Sequence, residues 1–221
     1  MEAPVLICSP QVSLERRTVG AKRRNNDKPE SKFLRLLYVG SFSSDKGLEE
    51  ILHAIARATQ RDLIRLTVAG DGTPGQRRKL RLIAEKLGIE NRIEWLGWVE
   101  TPSALYGHHD LLVIASRNEA YGLVAEEARF ASMPMIAYHA GATPEVAGPG
   151  ALLIAPDVNI LSATIDSFAL DSSQIVRLQT MMDTAEPTDP RQALEDLWQR
   201  MMHYMSDGRR SSPRRARPSL K

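Results

Sequence analysis

Apolar residues along this chain fall into short blocks separated by glycine-rich polar stretches. Leu34 to Val39 is a nearly continuous apolar run closed by Gly40, the pattern of a strand buried on both faces of a parallel sheet. Leu48, Ile51, Leu52, Ile55 and Ala58 then recur at spacings of three and four, which predicts an amphipathic helix. The unit repeats. Ile64 to Ala69 reads as a second strand, Gly70-Asp-Gly-Thr-Pro-Gly as a turn-rich loop, and 76–87 as a basic-faced helix that stops at Gly88. A third strand over Arg92 to Leu96 leads to a short helix that Thr101 is placed to cap, with Pro102 at its first position. Asp110 to Ala115, Met135 to Tyr138 and Ala151 to Ile154 supply the fourth, fifth and sixth strands, and Thr143 is placed to cap a short helix at Pro144. Helical periodicity follows over 159–168, 172–182 and, past Pro187 and Pro190, from 191 to about 205.

Six strands alternating with helices predict an α/β fold, a doubly wound parallel Rossmann-like sheet, in which ligands bind beyond the carboxyl ends of the strands. Those ends are occupied by Gly40 to Lys46, Gly70 to Gly72, Val99 to Thr101, Arg117 to Gly122 and His139 to Thr143. Neither G-x-G-x-x-G after the first strand nor G-x-x-x-x-G-K-[ST] occurs, so an ordinary dinucleotide site and a P-loop are not indicated. Ahead of the first strand, Val5 to Cys8 is a possible isolated strand and Glu15 to Lys32 has no periodic pattern. The organisation expected is therefore a linker or domain remnant over 1–32, one Rossmann-like domain over 33–206 and a low-complexity tail over 207–221.

Hydrophobic content of 43% and charged content of 25% are those of a soluble globular protein. No apolar run approaches the roughly 20 residues that cross a bilayer, and the start of the chain lacks the basic opening of a secretion signal. With one cysteine, Cys8, no internal disulfide can form, and a cytoplasmic setting is expected. The net charge of +2 is unevenly spread: residues 1–32 and 207–221 together carry +8, leaving −6 for the middle. A basic nucleic-acid-binding core is excluded on that count; a weak contact with anionic membrane is left to the basic tail, which otherwise is simply solvated.

The chemistry concentrates in Asn118 to Ala128, where Glu119 and Glu127 flank Tyr121-Gly122 at the turn from loop to helix. With a helix beginning near Gly122, Leu123, Val124, Glu127, Ala128, Phe130 and Ala131 share an arc and Glu126 and Arg129 point away. Glu127 then sits on an apolar face, where a carboxylate requires hydrogen-bond donors. Vicinal hydroxyls of a ribose would satisfy it, and so would a neighbouring loop or water. Free amides at the helix start, near Gly122 and Leu123, suit a pyrophosphate.

From Leu34 to about Ser167 the chain resembles the C-terminal, donor-binding domain of the family-four retaining glycosyltransferases, which have the two-domain GT-B fold. The resemblance rests on YVGSFSSDKG, AGDG, RIEWLGWV, the E-x7-E motif in NEAYGLVAEEA, and AGATPEV, in that order. It implies transfer of a hexose from a nucleotide diphosphate sugar, the donor substrate, with retained anomeric configuration, and no metal or other cofactor. The implied binding set is Gly40, Ser41, Lys46, Gly70, Val99, Thr101, Glu119, Tyr121, Gly122, Leu123 and Glu127. Of these, Glu127 would take the ribose, Gly122 and Leu123 the pyrophosphate, Val99 and Thr101 the base, and Glu119 the sugar. Lys46 would balance charge on the leaving phosphate, which makes Glu119 and Lys46 the catalytic candidates.

Departures from the family pattern bear on that expectation. Ser41 stands where an arginine usually clamps the phosphates, Met133 where a glycine is common, and Ala140 and Ala142 flank Gly141 where glycines are often paired. The N-terminal GT-B domain, which in the family holds the acceptor site, is expected to be missing here, with Val5 to Cys8 as its one candidate remnant. Activity is then expected to need an acceptor-domain partner, and the alternative is a truncated, inactive module that binds a nucleotide sugar or docks on a partner.

Overall fold

The computed structural model describes residues 32–184 and Gln199. The chain divides into two compact units, Met1–Glu186 and Pro187–Lys221; the description below concerns the first. The expected strand at Val5 to Cys8, the helix from 191 to about 205 and the basic tail lie outside the described residues. No helix among the described residues is long and apolar enough to cross a membrane.

Six strands form one parallel sheet: β1 (Leu34–Val39), β2 (Ile64–Ala69), β3 (Ile93–Gly97), β4 (Leu111–Ile114), β5 (Met135–Tyr138) and β6 (Ala151–Ile154), in the order β3-β2-β1-β4-β5-β6. β1 and β2 pair in register from Leu34 opposite Ile64 to Val39 opposite Ala69. Because β1 to β3 wind one way and β4 to β6 the other, the direction reverses between β1 and β4. A crevice opens at such a reversal, above the strand ends.

The alternation of side chains along each strand sends them to two cores. Leu34, Leu36 and Tyr38 of β1 pack with α1 (Leu48–Arg57), α2 (Pro74–Lys86) and α6 (Val158–Leu170). Leu37 and Val39 face the other layer, which holds Tyr106 of α3 (Ser103–Tyr106), Ala125 and Ala128 of α4 (Leu123–Phe130), Val146 of α5 (Thr143–Val146) and Met182 of α7 (Ser173–Thr184). Buried on both sides, β1 and β4 could be almost wholly apolar; β3, at the edge, alternates half-buried and exposed positions.

Beyond one-residue shifts at the starts of α6 and α7, three helix starts differ from expectation. α2 begins at Pro74, two residues before the expected start, because Thr73 and Gln76 form a reciprocal capping box. Thr101 does not cap α3: Pro102 already has helical dihedrals and occupies the cap position without a side-chain bond. Thr143 likewise lies inside α5, whose cap is Ala142, and its hydroxyl is buried without a hydrogen-bond partner among the described residues.

One buried histidine makes stability depend on pH. His109 is 8% exposed, with Nδ1 2.8 Å from the Leu105 carbonyl oxygen, and burial holds its pKa below the usual 6.5. The unfolded chain therefore takes up this proton more readily than the folded one. Stability from this source is complete above about pH 6.5 and falls as pH drops through that value toward the folded pKa. Thermal unfolding followed from pH 8 to pH 5 should show this decline, and His109→Gln should flatten it; an equal slope in the variant would assign the effect elsewhere.

Candidate functional site

Two adjoining cavities lie at the reversal between β1 and β4, and both are lined by Val39, Gly40 and Ser41. The larger, about 570 Å³, extends over the end of β2 toward Gly70, Gln76, Trp98 and Val99. The smaller, about 170 Å³, extends over β4 to α4 and is lined by Lys46, Ser116, Glu119, Leu123, Val124 and Glu127. Of the residues singled out in the sequence, Gly40, Ser41, Lys46, Gly70, Val99, Glu119, Leu123 and Glu127 thus line the pair. Thr101 and Tyr121 line neither, and Gly122 is buried at the start of α4.

The expected arc of α4 faces the smaller cavity through Leu123, Val124 and Glu127, while Ala125 and Ala128 contact the core. Glu127 is half-buried and accepts a hydrogen bond from the Tyr106 hydroxyl at 3.0 Å. A side chain from a neighbouring helix therefore satisfies part of this carboxylate, a partner that the sequence did not point to. Glu126 corrects the arc: expected to point away, it is only 6% exposed and pairs with Arg129 at 3.8 Å. Arg129 itself lies against Gly148, where an added Cβ would come within 2.6 Å of its Cδ. Helical phase alone misplaced Glu126, because it gives a direction and not whether protein stands there: Ala125, Glu126 and Ala128 are buried on this eight-residue helix.

Lys46 ends a 3-10 turn, Ser44–Lys46, and its ammonium lies 2.8 Å from Glu119 Oε2. The Gly122 amide donates to Glu119 Oε1 at 3.3 Å. Glu119 is held from behind, since its carbonyl accepts the Ala142 amide at 2.8 Å. Gly141 makes that approach possible: a Cβ there would lie 2.3 Å from the Glu119 carbonyl oxygen. At the opposite end of the cleft a Cβ on Gly70 would sit 1.7 Å from the Gly40 carbonyl oxygen, so that glycine serves close packing of two strand ends.

The tertiary structure adds residues that sequence reasoning missed. Glu50, on α1, accepts two hydrogen bonds from Arg117, at 2.6 and 3.0 Å, and one from the Tyr138 hydroxyl at 2.8 Å. Arg117 also donates its amide to the Asp45 carbonyl at 2.9 Å. The Glu50 carboxylate thus joins α1 to the loop bearing Glu119 and to the end of β5, and the Arg117 amide adds the loop bearing Lys46. Tyr38 fixes the next segment by donating to the Ser41 carbonyl at 2.5 Å. Burial first, then the nearby carboxylates Asp45 and Glu119, push the Tyr38 hydroxyl pKa far up, so it stays a neutral donor. Tyr106, Glu50 and Tyr138 carried no local signal; Trp98 and Phe42 lay in or beside stretches already assigned to strand ends.

No group of three or more histidine, cysteine or carboxylate side chains among the described residues is arranged to hold a metal ion. The fold and cleft define a doubly wound Rossmann-like domain of the GT-B type, with its ligand crevice at the strand reversal. The model of the family "Glycosyl transferases group 1" matches residues 20–185, and the chain belongs to that family. The D-inositol 3-phosphate glycosyltransferase of Corynebacterium efficiens is 31% identical over 120 residues, which is 51% of this chain and 28% of that protein. The C-terminal domain of LpcC, a group 1 family protein from Francisella tularensis, superposes with a TM-score of 0.60 at 23% identity, covering 67% of this chain and 82% of that one. HepE of Anabaena, solved with UDP and glucose, superposes with a TM-score of 0.65 at 21% identity, covering 90% of this chain and 53% of that one. The chain spans about a third of the length of the curated relatives it matches.

Proposed function

We propose that this chain is the donor half of a retaining hexosyltransferase, binding a nucleotide diphosphate sugar and needing an acceptor domain from elsewhere. The observation that carries the reading is the convergence of Lys46, Glu119, Leu123 and Glu127 on one cavity above β1 and β4. Residues 73 and 81 positions apart in sequence meet there, beside the start of a helix. Membership of the group 1 family and the UDP and glucose bound by HepE support the choice of ligand.

In the proposed reaction the bond from the anomeric carbon to the phosphate oxygen breaks, and the nucleoside diphosphate leaves with the electron pair. An acceptor oxygen forms the new bond on the same face of the sugar and gives its proton to the departing phosphate oxygen. Lys46 and the α4 amides stabilise the charge that collects on the departing phosphate, without a metal. Glu127 and Glu119 accept hydroxyls of the ribose and of the hexose, and Val99 borders the base. A cytoplasmic setting goes with this reading, as the single cysteine suggests.

Calorimetric titration with UDP-, GDP- and ADP-hexoses tests the proposal. One nucleotide series is expected to bind, and Glu127→Ala to weaken it about tenfold, the loss of one hydrogen bond to a charged acceptor. Absence of binding at millimolar donor would refute the reading. Ser41, in the place of a second phosphate cation, motivates the alternative of a binding module without turnover. Sugar transfer by the chain with a co-purified acceptor-domain partner would dismiss that alternative.

A further inference from the structure

The groups proposed to hold the donor hold each other in this structure. Among the described residues that line the two cavities Lys46 is the only cation, and it is bound to Glu119 Oε2 at 2.8 Å. The second oxygen of the same carboxylate takes the Gly122 amide at 3.3 Å. An anion is thus already seated between the lysine and the start of α4, the place where anionic groups are most stabilised. Neither end of the pair is a loose surface side chain. Glu119 is 15% exposed on a backbone pinned by Ala142, and the Lys46 turn is closed by its own amide bond to Ser43 and by Arg117 on Asp45.

We infer that Glu119 is an internal competitor for the diphosphate, a latch that separates the intact donor from the spent nucleotide; this rests on the nucleotide-sugar reading above. A diphosphate that reaches Lys46 and the Gly122 amide must first displace the carboxylate. The intact donor brings both the phosphates that displace it and the sugar hydroxyls that can hydrogen-bond the displaced oxygens. A nucleoside diphosphate brings only the phosphates and leaves a carboxylate without donors beside another anion. The latch therefore lowers affinity for the product more than for the donor, and it closes as the nucleotide leaves.

The sign of this effect sets it apart from a simple sugar contact, because removing Glu119 should strengthen product binding. A latch closed nine-tenths of the time lowers apparent affinity about tenfold. Calorimetry with UDP, GDP and ADP, and with the matching hexose derivatives, is run on wild type, Glu119→Ala and Glu119→Gln, with circular dichroism confirming each fold. Glu119→Ala is expected to bind the preferred nucleoside diphosphate about tenfold more tightly than wild type, with Glu119→Gln in between. The intact donor should gain less, so that the ratio of product to donor affinity rises. Equal or weaker product binding in Glu119→Ala overturns the latch and leaves the nucleotide-sugar reading standing, whereas no nucleotide binding by any of the proteins overturns both. Should the alanine variant not fold, Glu119→Gln, which keeps an oxygen for the Gly122 amide, decides alone: unchanged product affinity refutes the latch.

Discussion

Lys46→Ala is expected to weaken binding of the preferred nucleoside diphosphate about thirtyfold, or ~2 kcal/mol, the usual worth of a charge-assisted hydrogen bond to phosphate. The effect should be that large because Lys46 is the sole cation among the described residues that line either cavity. Ser41, which occupies the position of the family's second clamp, carries no charge and shares its hydroxyl with Ser43 at 2.9 Å. Without the lysine, two carboxylates, Glu119 and Glu127, line the smaller cavity with no other cation among the described residues that line it. Lys46→Arg keeps the charge and should recover part of the loss. Calorimetry at fixed ionic strength measures both, and a nucleotide affinity unchanged in Lys46→Ala would remove the lysine from the phosphate site.

Gly47→Ala is expected to destabilise the domain by about 3 kcal/mol and to lower Tm by about 10 °C. Two costs combine. At φ +71° the residue is in the left-handed region, which disfavours a side chain by about 1 kcal/mol. In addition an alanine Cβ would stand 2.0 Å from the Ala115 carbonyl oxygen, a backbone atom at the end of β4 that has no rotamer by which to yield. The loop that carries Lys46 must then lift away from the loop that carries Glu119. Gly88 isolates the first cost, since it has φ +67° and no atom within 4 Å of its added Cβ. Gly88→Ala should therefore lose only about 1 kcal/mol. Thermal unfolding of both variants makes the comparison, and equal losses would show that the contact with Ala115 is relieved at no cost.

Much of the fold was legible in the sequence because a strand buried on both sides leaves a one-dimensional mark. β1, β2, β5 and β6 have the limits that their apolar runs predict, and β3 and β4 shift by only one residue at each end. The loops at the strand ends were legible for a similar reason, since glycines and polar residues must follow such runs. Eight of the eleven residues expected to bind the donor do line the cleft. Thr101 was expected there by position within a loop, but Pro102 already belongs to the first turn of α3 and leaves Thr101 exposed outside the cleft. The burial of Glu126 was illegible because helical phase gives directions and not what stands in each of them.

By itself the sequence determined that the chain alternates strands and helices, that the strands are parallel and covered on two faces, and that two glutamates eight positions apart flank the glycine at which a helix starts. Which strands adjoin was decided only by the tertiary structure. The order β3-β2-β1-β4-β5-β6 brings Lys46 to Glu119, Tyr106 to Glu127, and Glu50 to Arg117 and Tyr138. Periodicity reports how each segment meets its own surroundings, since burial acts on one residue at a time. Contacts between side chains distant in sequence depend on the packing of all the segments at once, and no local pattern records them.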